Sequence, residues 1–164
     1  MPVRILKGRF RMNCHAAIGL LVVAVSAFAQ SASPAKDAVH ALQRSHPEIK
    51  WITDSVTLAD VNCDGKPDTI LLGSHRDLVA VGIVWGQGSE QTQVLTFALQ
   101  TGSQDSFCAR PTQIKISEQD CNTGEYSLPD CRPNPSCHDF SIIDHECDSF
   151  NFYWDSDHKR FAWW

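Results

Sequence analysis

The longest continuously apolar stretch beyond the N-terminal region runs from Leu78 to Trp85 and is dominated by valine, isoleucine and alanine. It is bounded by His75-Arg76-Asp77 and by Gly86-Gln87-Gly88-Ser89. A short β-branched run between turn signals predicts a central strand covered on both faces. The next segment, Gln93 to Leu99, alternates instead, so Leu95, Phe97 and Leu99 are expected on the core side. Thr112 to Ser117 predicts another strand, with Ile114 and Ile116 on one face. Trp51 to Ala59 and Thr69 to Gly73 read as two more, and Phe140 to Ile143 as a brief one. Ser149 to Trp164 predicts a hairpin turning at Asp155-Ser156-Asp157-His158. Its faces follow from the period of two: Phe150, Phe152, Trp154, Phe161 and Trp163 inward, Tyr153 and Trp164 outward.

Helical spacing appears once. Pro34 to Ser45 places Val39 and Leu42 on one side, with Ser33 as a cap and Pro47 just past the end. Asp120 to Cys137 holds three cysteines and three prolines with little aliphatic content, so it is expected as an irregular, disulfide-held excursion. No sequence period recurs, and the length falls short of a propeller. The pattern predicts a mainly β chain: one small antiparallel β domain with one short N-terminal helix, stabilised by disulfides.

Charge at the N-terminus changes the domain boundaries. Arg4, Lys7, Arg9 and Arg11 precede an apolar run from Ala16 to Ala29 that ends Ala27-Phe28-Ala29. This reads as a secretory signal peptide over residues 1–29, leaving 30–164 as a single domain and predicting a periplasmic or secreted protein. The run is shorter than the roughly 20 apolar residues a membrane span requires. Removing those four basic residues from 14 leaves 10 against 19 acidic ones, a formal charge of −9. Such an acidic surface argues against nucleic acid and anionic membrane as partners.

Six cysteines follow the leader: Cys63, Cys108, Cys121, Cys131, Cys137 and Cys147. In an oxidising compartment they predict up to three disulfides. Six cysteines allow 15 pairings. Of these, the expected set is Cys108 with Cys121 and Cys131 with Cys137, leaving Cys63 for Cys147 and so tying the Asp60–Asp68 segment to the C-terminal region.

The sharpest chemical pattern is Asp60-Val61-Asn62-Cys63-Asp64-Gly65-Lys66-Pro67-Asp68. Side-chain oxygens fall at its first, third, fifth and ninth positions, with a glycine at the sixth. Calcium accepts about six to eight oxygen ligands, and alternate side chains of a tightly wound loop converge on one point. Asp60, Asn62, Asp64 and Asp68, with the backbone carbonyl of Lys66, form the candidate calcium-ligand set. Three aspartates in nine residues repel one another until a divalent cation neutralises them. The twelfth position is Leu71 rather than the glutamate of an EF-hand, and the flanks are β-forming rather than helical.

Residues 56–73 therefore resemble the calcium loop of integrin-type FG-GAP and VCBS repeats, in a single copy. That resemblance implies that Asp60, Asn62, Asp64 and Asp68 hold calcium and that Asp68 takes the part of the EF-hand glutamate. The reading is an exported, non-catalytic β domain in which calcium is mainly structural. Two others compete with it. One is a protein- or glycan-binding or inhibitory module that uses the aromatic hairpin through Tyr153 and Trp164. The other is a small secreted hydrolase built on His138 or His145 with the neighbouring Asp139 and Asp144. Adjacent strand residues point to opposite faces, which works against either His–Asp dyad. His138, His145, Cys137 and Cys147 have zinc-compatible chemistry without zinc-like spacing.

Overall fold

The computed structural model describes residues 34–86, 91–102, 105–111, 113–122, 124–125, 127–147 and 149–164. The expected leader, the Ser33 cap and the turn residues Gln87 to Ser89 lie outside the described residues. Helix α1 spans Pro34–Ser45, as its spacing predicts. The amide of His46 closes its last turn on the carbonyl of Leu42 at 2.8 Å, and Pro47 follows. Ala38, Ala41 and Leu42 are buried.

The first sheet holds β1 (Lys50–Trp51), β2 (Thr57–Ala59), β3 (Asp68–His75), β4 (Leu78–Val84), β5 (Thr92–Leu99) and β6 (Ser106–Phe107). Its order is β1-β3-β4-β5-β6, with β2 also paired to β3. Every pairing is antiparallel except β5 with β6. The second sheet is β10-β9-β8-β7, made of β7 (Gln113–Glu118), β8 (His138–Ile143), β9 (Phe150–Asp155) and β10 (Arg160–Trp163). It is antiparallel throughout.

The expected strand from Trp51 to Ala59 is in fact two short strands. A 3-10 turn, Thr53–Ser55, interrupts it. The Ser55 hydroxyl donates to the carbonyl of Ile52 at 2.7 Å and accepts the amide of Leu72 at 2.8 Å. Ser55 thus replaces a ladder bond with its side chain, and both short strands still pair with β3.

As its composition predicts, β4 is central and covered on both faces. Ile70, Leu72, Val79, Val81, Ile83 and Phe97 face the second sheet, in one core with Phe140, Ile142, Phe150, Phe152, Trp154 and Phe161. Leu71, Ala80 and Val84 face the opposite way, toward Leu42, Ile49 and Trp51. Phe140 and Phe152 stack with centroids 4.7 Å apart across β8 and β9. On the helix side, a β-carbon on Gly73 would lie 2.7 Å from Cε3 of Trp51, and one on Gly82 2.7 Å from its Cζ3. Two glycines on neighbouring strands thus form the notch that seats the indole.

Three disulfides are present, and none has the expected pairing: Cys63–Cys137, Cys108–Cys147 and Cys121–Cys131. Hydrogen bonds between segments distant in sequence accompany two of them. The carboxylate of Asp144 accepts the amides of Cys108, Ala109, Glu146 and Cys147 at 2.8–3.2 Å, which gathers the ends of two remote segments. The amide of His138 donates to the carbonyl of Asp60 at 2.9 Å, which sets Cys137 beside Cys63. Cys121–Cys131 closes the irregular excursion, where the amide of Leu128 donates to the carbonyl of Cys121 at 2.9 Å.

The hairpin at 149–164 forms, but its outward residues differ from expectation. Tyr153 is buried at 5 % exposure. It lies on the face away from the core, where the ring of Trp164 meets it edge-on at 5.8 Å. Trp163, expected inside, is 41 % exposed. It ends an edge strand, and its ring meets Phe97 and Phe152 while remaining partly open to solvent. Tyr153 therefore offers no surface for a partner, whereas Trp164 is half-buried. Among the described residues, no helix is long and apolar enough to cross a membrane.

Candidate metal centres

The Asp60–Asp68 loop joins β2 to β3, which pair from Ala59 and Asp68 onward. Its first half winds tightly. Cys63 (φ 63°) and Gly65 (φ 84°) both occupy the left-handed region, and Cys63 is bonded to Cys137 of the second sheet's excursion. The winding turns successive amides toward the aspartates. The amide of Asp64 donates to Asp60 Oδ1 at 3.1 Å and to Asn62 Oδ1 at 3.0 Å. The amide of Gly65 donates to Asp60 Oδ2 at 2.8 Å, and that of Lys66 to Asp64 Oδ1 at 2.9 Å. Asn62 Nδ2 donates to Asp64 Oδ2 at 3.4 Å. Asp60, Asn62 and Asp64 are thus brought together, while the Lys66 side chain is exposed.

Asp68 differs from the other three. It is fully buried, and its carboxylate ties the loop to the fold. Oδ2 accepts the amides of Val61 and Asn62 at 3.1 and 3.2 Å, and Oδ1 accepts the amide of Gly86 at 2.8 Å. Burial raises its pKa; the three amides oppose that rise and the charge of Asp64 adds to it. A carboxylate that stays ionised in such a place gains from a nearby cation.

The loop is also stitched to the second sheet. Besides the Cys63–Cys137 bond and the His138 amide, Gln119 Nε2 lies 3.8 Å from Cys63 Sγ.

A second cluster was not anticipated from sequence. Asp130, Asp155 and His158 each present a ligand atom within 4.8 Å of the others. Among the described residues this is the one trio of His, Cys, Asp or Glu so placed, so the oxygens of Asp60, Asp64 and Asp68 do not all lie that close to one another. Nδ1 of His158 lies 2.8 Å from Asp155 Oδ2 and 3.8 Å from Asp130 Oδ2. Asp155 is buried, yet its pKa falls. Burial would raise it, but the amides of His158 and Asp157 and the imidazole of His158 outweigh that effect. Arg160 Nε stands 3.6 Å from the same carboxylate, and Arg132 pairs with Asp157. As it stands, the trio is an ion-pair cluster at the hairpin turn, flanked by two guanidinium groups that compete with any cation. The D-x-x-H spacing of Asp155 and His158 was legible; Asp130, 25 residues earlier, was not.

The other constellations separate. Cys137 and Cys147 are consumed in disulfides and offer no thiolate for zinc. The carboxylate of Asp144 is occupied by four amides, which overcome burial and hold its pKa down. His138 lies two residues before Phe140 and so shares its core-facing parity, whereas Asp139 lies on the opposite face. Comparisons with protein families, curated proteins and solved structures find no match for this chain.

Proposed function

We propose that this protein is an exported calcium-binding β domain in which calcium is structural, held by Asp60, Asn62, Asp64, Asp68 and the backbone carbonyl of Lys66. The loop is of the kind found in FG-GAP and VCBS repeats. The observation that carries the reading is the convergence of the Asp60, Asn62 and Asp64 oxygens on three successive loop amides. An amide uses one lone pair of a carboxylate oxygen and leaves others for an ion. The three loop carboxylates carry charge that only a cation offsets locally; Lys66, the one basic residue in the loop, has its side chain exposed.

Three disulfides belong to an oxidising environment outside the cytoplasm, and with the expected leader they support a periplasmic or secreted location. There calcium is abundant, and extracellular modules bind it at about 0.1–1 mM. Bound calcium would fix the β2–β3 connection and, through Cys63 and Asp60, the seam with the second sheet.

Thermal melting with and without calcium tests the reading. Millimolar calcium should raise the melting temperature of the purified chain and leave Asp64→Ala unmoved. An unchanged melting temperature in the parent protein defeats it.

A further inference from the structure

Two sheets present four edges, and three of these are guarded. In the first sheet, β1 and β2 form one edge with strands of two and three residues. In the second, β7 carries Lys115 and Glu118, and β10 has four residues beginning with Arg160. Short strands and charged side chains keep a sheet edge from pairing with another chain. The fourth edge lacks both. β5 is eight residues long, without a charge or a proline. Its inner side pairs with β4 along residues 92–98. Its outer side meets β6 only at Ala98 and Leu99. Among the described residues, no backbone hydrogen bond engages that outer side over residues 92–97. A row of amides and carbonyls there is left open to a further strand.

What flanks this edge indicates the partner. β10, the edge of the second sheet on the same side, is separated from β5 by an open cleft of about 400 Å³. Leu95, Phe161, Arg160 and Trp163 line it. Tryptophan and arginine are the residue types that most often anchor protein interfaces. The two strands run the same way. The Trp163 ring lies 5.4 Å from Phe97, while Phe161 meets Trp154 and Trp154 meets Trp85. The amide of Trp85 donates to the carbonyl of Gln91, just before β5 begins. Arg160 therefore lies toward the start of β5. At the other end, Asp105 precedes Ser106, which pairs with Ala98, and Asp105 Oδ1 accepts Trp163 Nε1 at 3.1 Å. Arg160 and Asp105 are both exposed. An uncharged strand with a basic group at one end and an acidic group at the other is complementary to itself when turned end for end.

We propose that β5 is a dimerisation edge, where two copies of this chain pair antiparallel along residues 92–96 about a two-fold axis at Val94. That register sets Thr96 against the partner's Thr92 and brings Arg160 toward the partner's Asp105. It stops short of Ala98, which β6 already occupies. The two larger sheets become one continuous sheet, and because the contact is the same patch on both copies, assembly closes at a dimer. The edge is separate from the Asp60–Asp68 loop and needs no calcium there.

Sedimentation equilibrium of the purified full chain, in chelator and in millimolar calcium, tests this. A reversible monomer–dimer equilibrium is expected, with the same dissociation constant in both conditions. Thr96→Lys places a charge on the edge and should weaken the dimer about tenfold or more. Thr96 is exposed, so the variant keeps its fold. Arg160→Glu and Asp105→Lys should each weaken the dimer several-fold, and the two together should restore it. Hydrogen exchange along residues 92–96 should slow as the parent protein is concentrated, but not in Thr96→Lys. A monomer at every concentration, even one that captures an extended peptide of foreign sequence, would overturn the proposal. So would an open-ended polymer, a dimer indifferent to Thr96→Lys, or a dimer that forms only with calcium. Calcium melts of Thr96→Lys keep this test separate from that of the loop, because the calcium response should persist in the monomer.

Discussion

The backbone amide of His138 donates to the carbonyl of Asp60 at 2.9 Å, and one residue from His138 the chain is bonded covalently to Cys63. A loop of the first sheet and a strand of the second thus share a backbone bond and a disulfide within a few residues. The Cys63–Cys137 bond spans 74 residues of sequence. On the chain-entropy model, closing a loop of that size stabilises by about 4 kcal/mol. Replacing both cysteines with alanine should lower the urea midpoint accordingly. It should also weaken calcium protection, since residue 63 of the loop is then no longer tethered to the second sheet.

The two kinds of aspartate in the loop predict two kinds of mutant. Asp68→Ala strips the acceptor from three amides, Val61, Asn62 and Gly86, in a buried setting. At about 1–3 kcal/mol for each orphaned group, it should lose 3 kcal/mol or more even in chelator. Asp64 is exposed, so Asp64→Ala should cost little in chelator and lose only the calcium increment. That increment is about 2.7 kcal/mol at a hundredfold excess of calcium over Kd. Denaturant titrations with calcium or chelator separate the two behaviours.

Gly82→Ala places a methyl group 2.6 Å from Leu42 Cδ1 and 2.7 Å from Trp51 Cζ3. Overpacking of this kind costs about 1–3 kcal/mol. The indole of Trp51 must shift or the helix must lift, so a loss of stability should come with a change in near-ultraviolet circular dichroism. An unchanged midpoint would show that the notch has slack.

Asp139 predicts a pH dependence. Burial pushes its pKa from 3.8 up to about 6; the Asp120 amide and His138 oppose that rise, and the charge of Asp120 adds to it. The folded state therefore holds this proton more tightly than the unfolded chain. The favourable contribution is present below about pH 4 and is lost as pH rises toward 6. The interval from 3.8 to about 6 corresponds to about 3 kcal/mol at 1.36 kcal/mol per unit. Asp139→Asn should lack this loss, so the difference in stability between variant and parent should grow across pH 4 to 6 and level off above. A constant difference would sink the assignment.

Much of the fold was legible because it depends on local periodicity. Pro34–Ser45 carried a 3.6-residue stripe and a following proline, and Leu78 to Val84 carried an unbroken apolar run; both became the elements they predicted. The Trp51–Ala59 strand was misread because Thr53, Asp54 and Ser55, a turn-forming trio, were outweighed by the aliphatics around them. Period two assigned Tyr153 to the face away from the core, but that face is not uniformly wet, and Trp164 lies against the phenol ring. The disulfide map was illegible in principle. Cys108 and Cys147 meet because one carboxylate, Asp144, collects amides from segments 36 residues apart. In the loop, the spacing of Asp60, Asn62 and Asp64 was readable from sequence. The separate duty of Asp68 was not, because Gly86, its third amide partner, lies 18 residues away.

All three covalent cross-links fall between Cys63 and Cys147, so the segment from Pro34 to Asn62 lies outside every closed ring. The helix is kept in place by Leu42, Ala38 and the Trp51 indole, without help from sulfur. The cross-links therefore brace the part of the fold that follows Asn62, while the helix rests on apolar burial and β1 and β2 on their ladders with β3, so reducing agents act on one part of the molecule and not on the other.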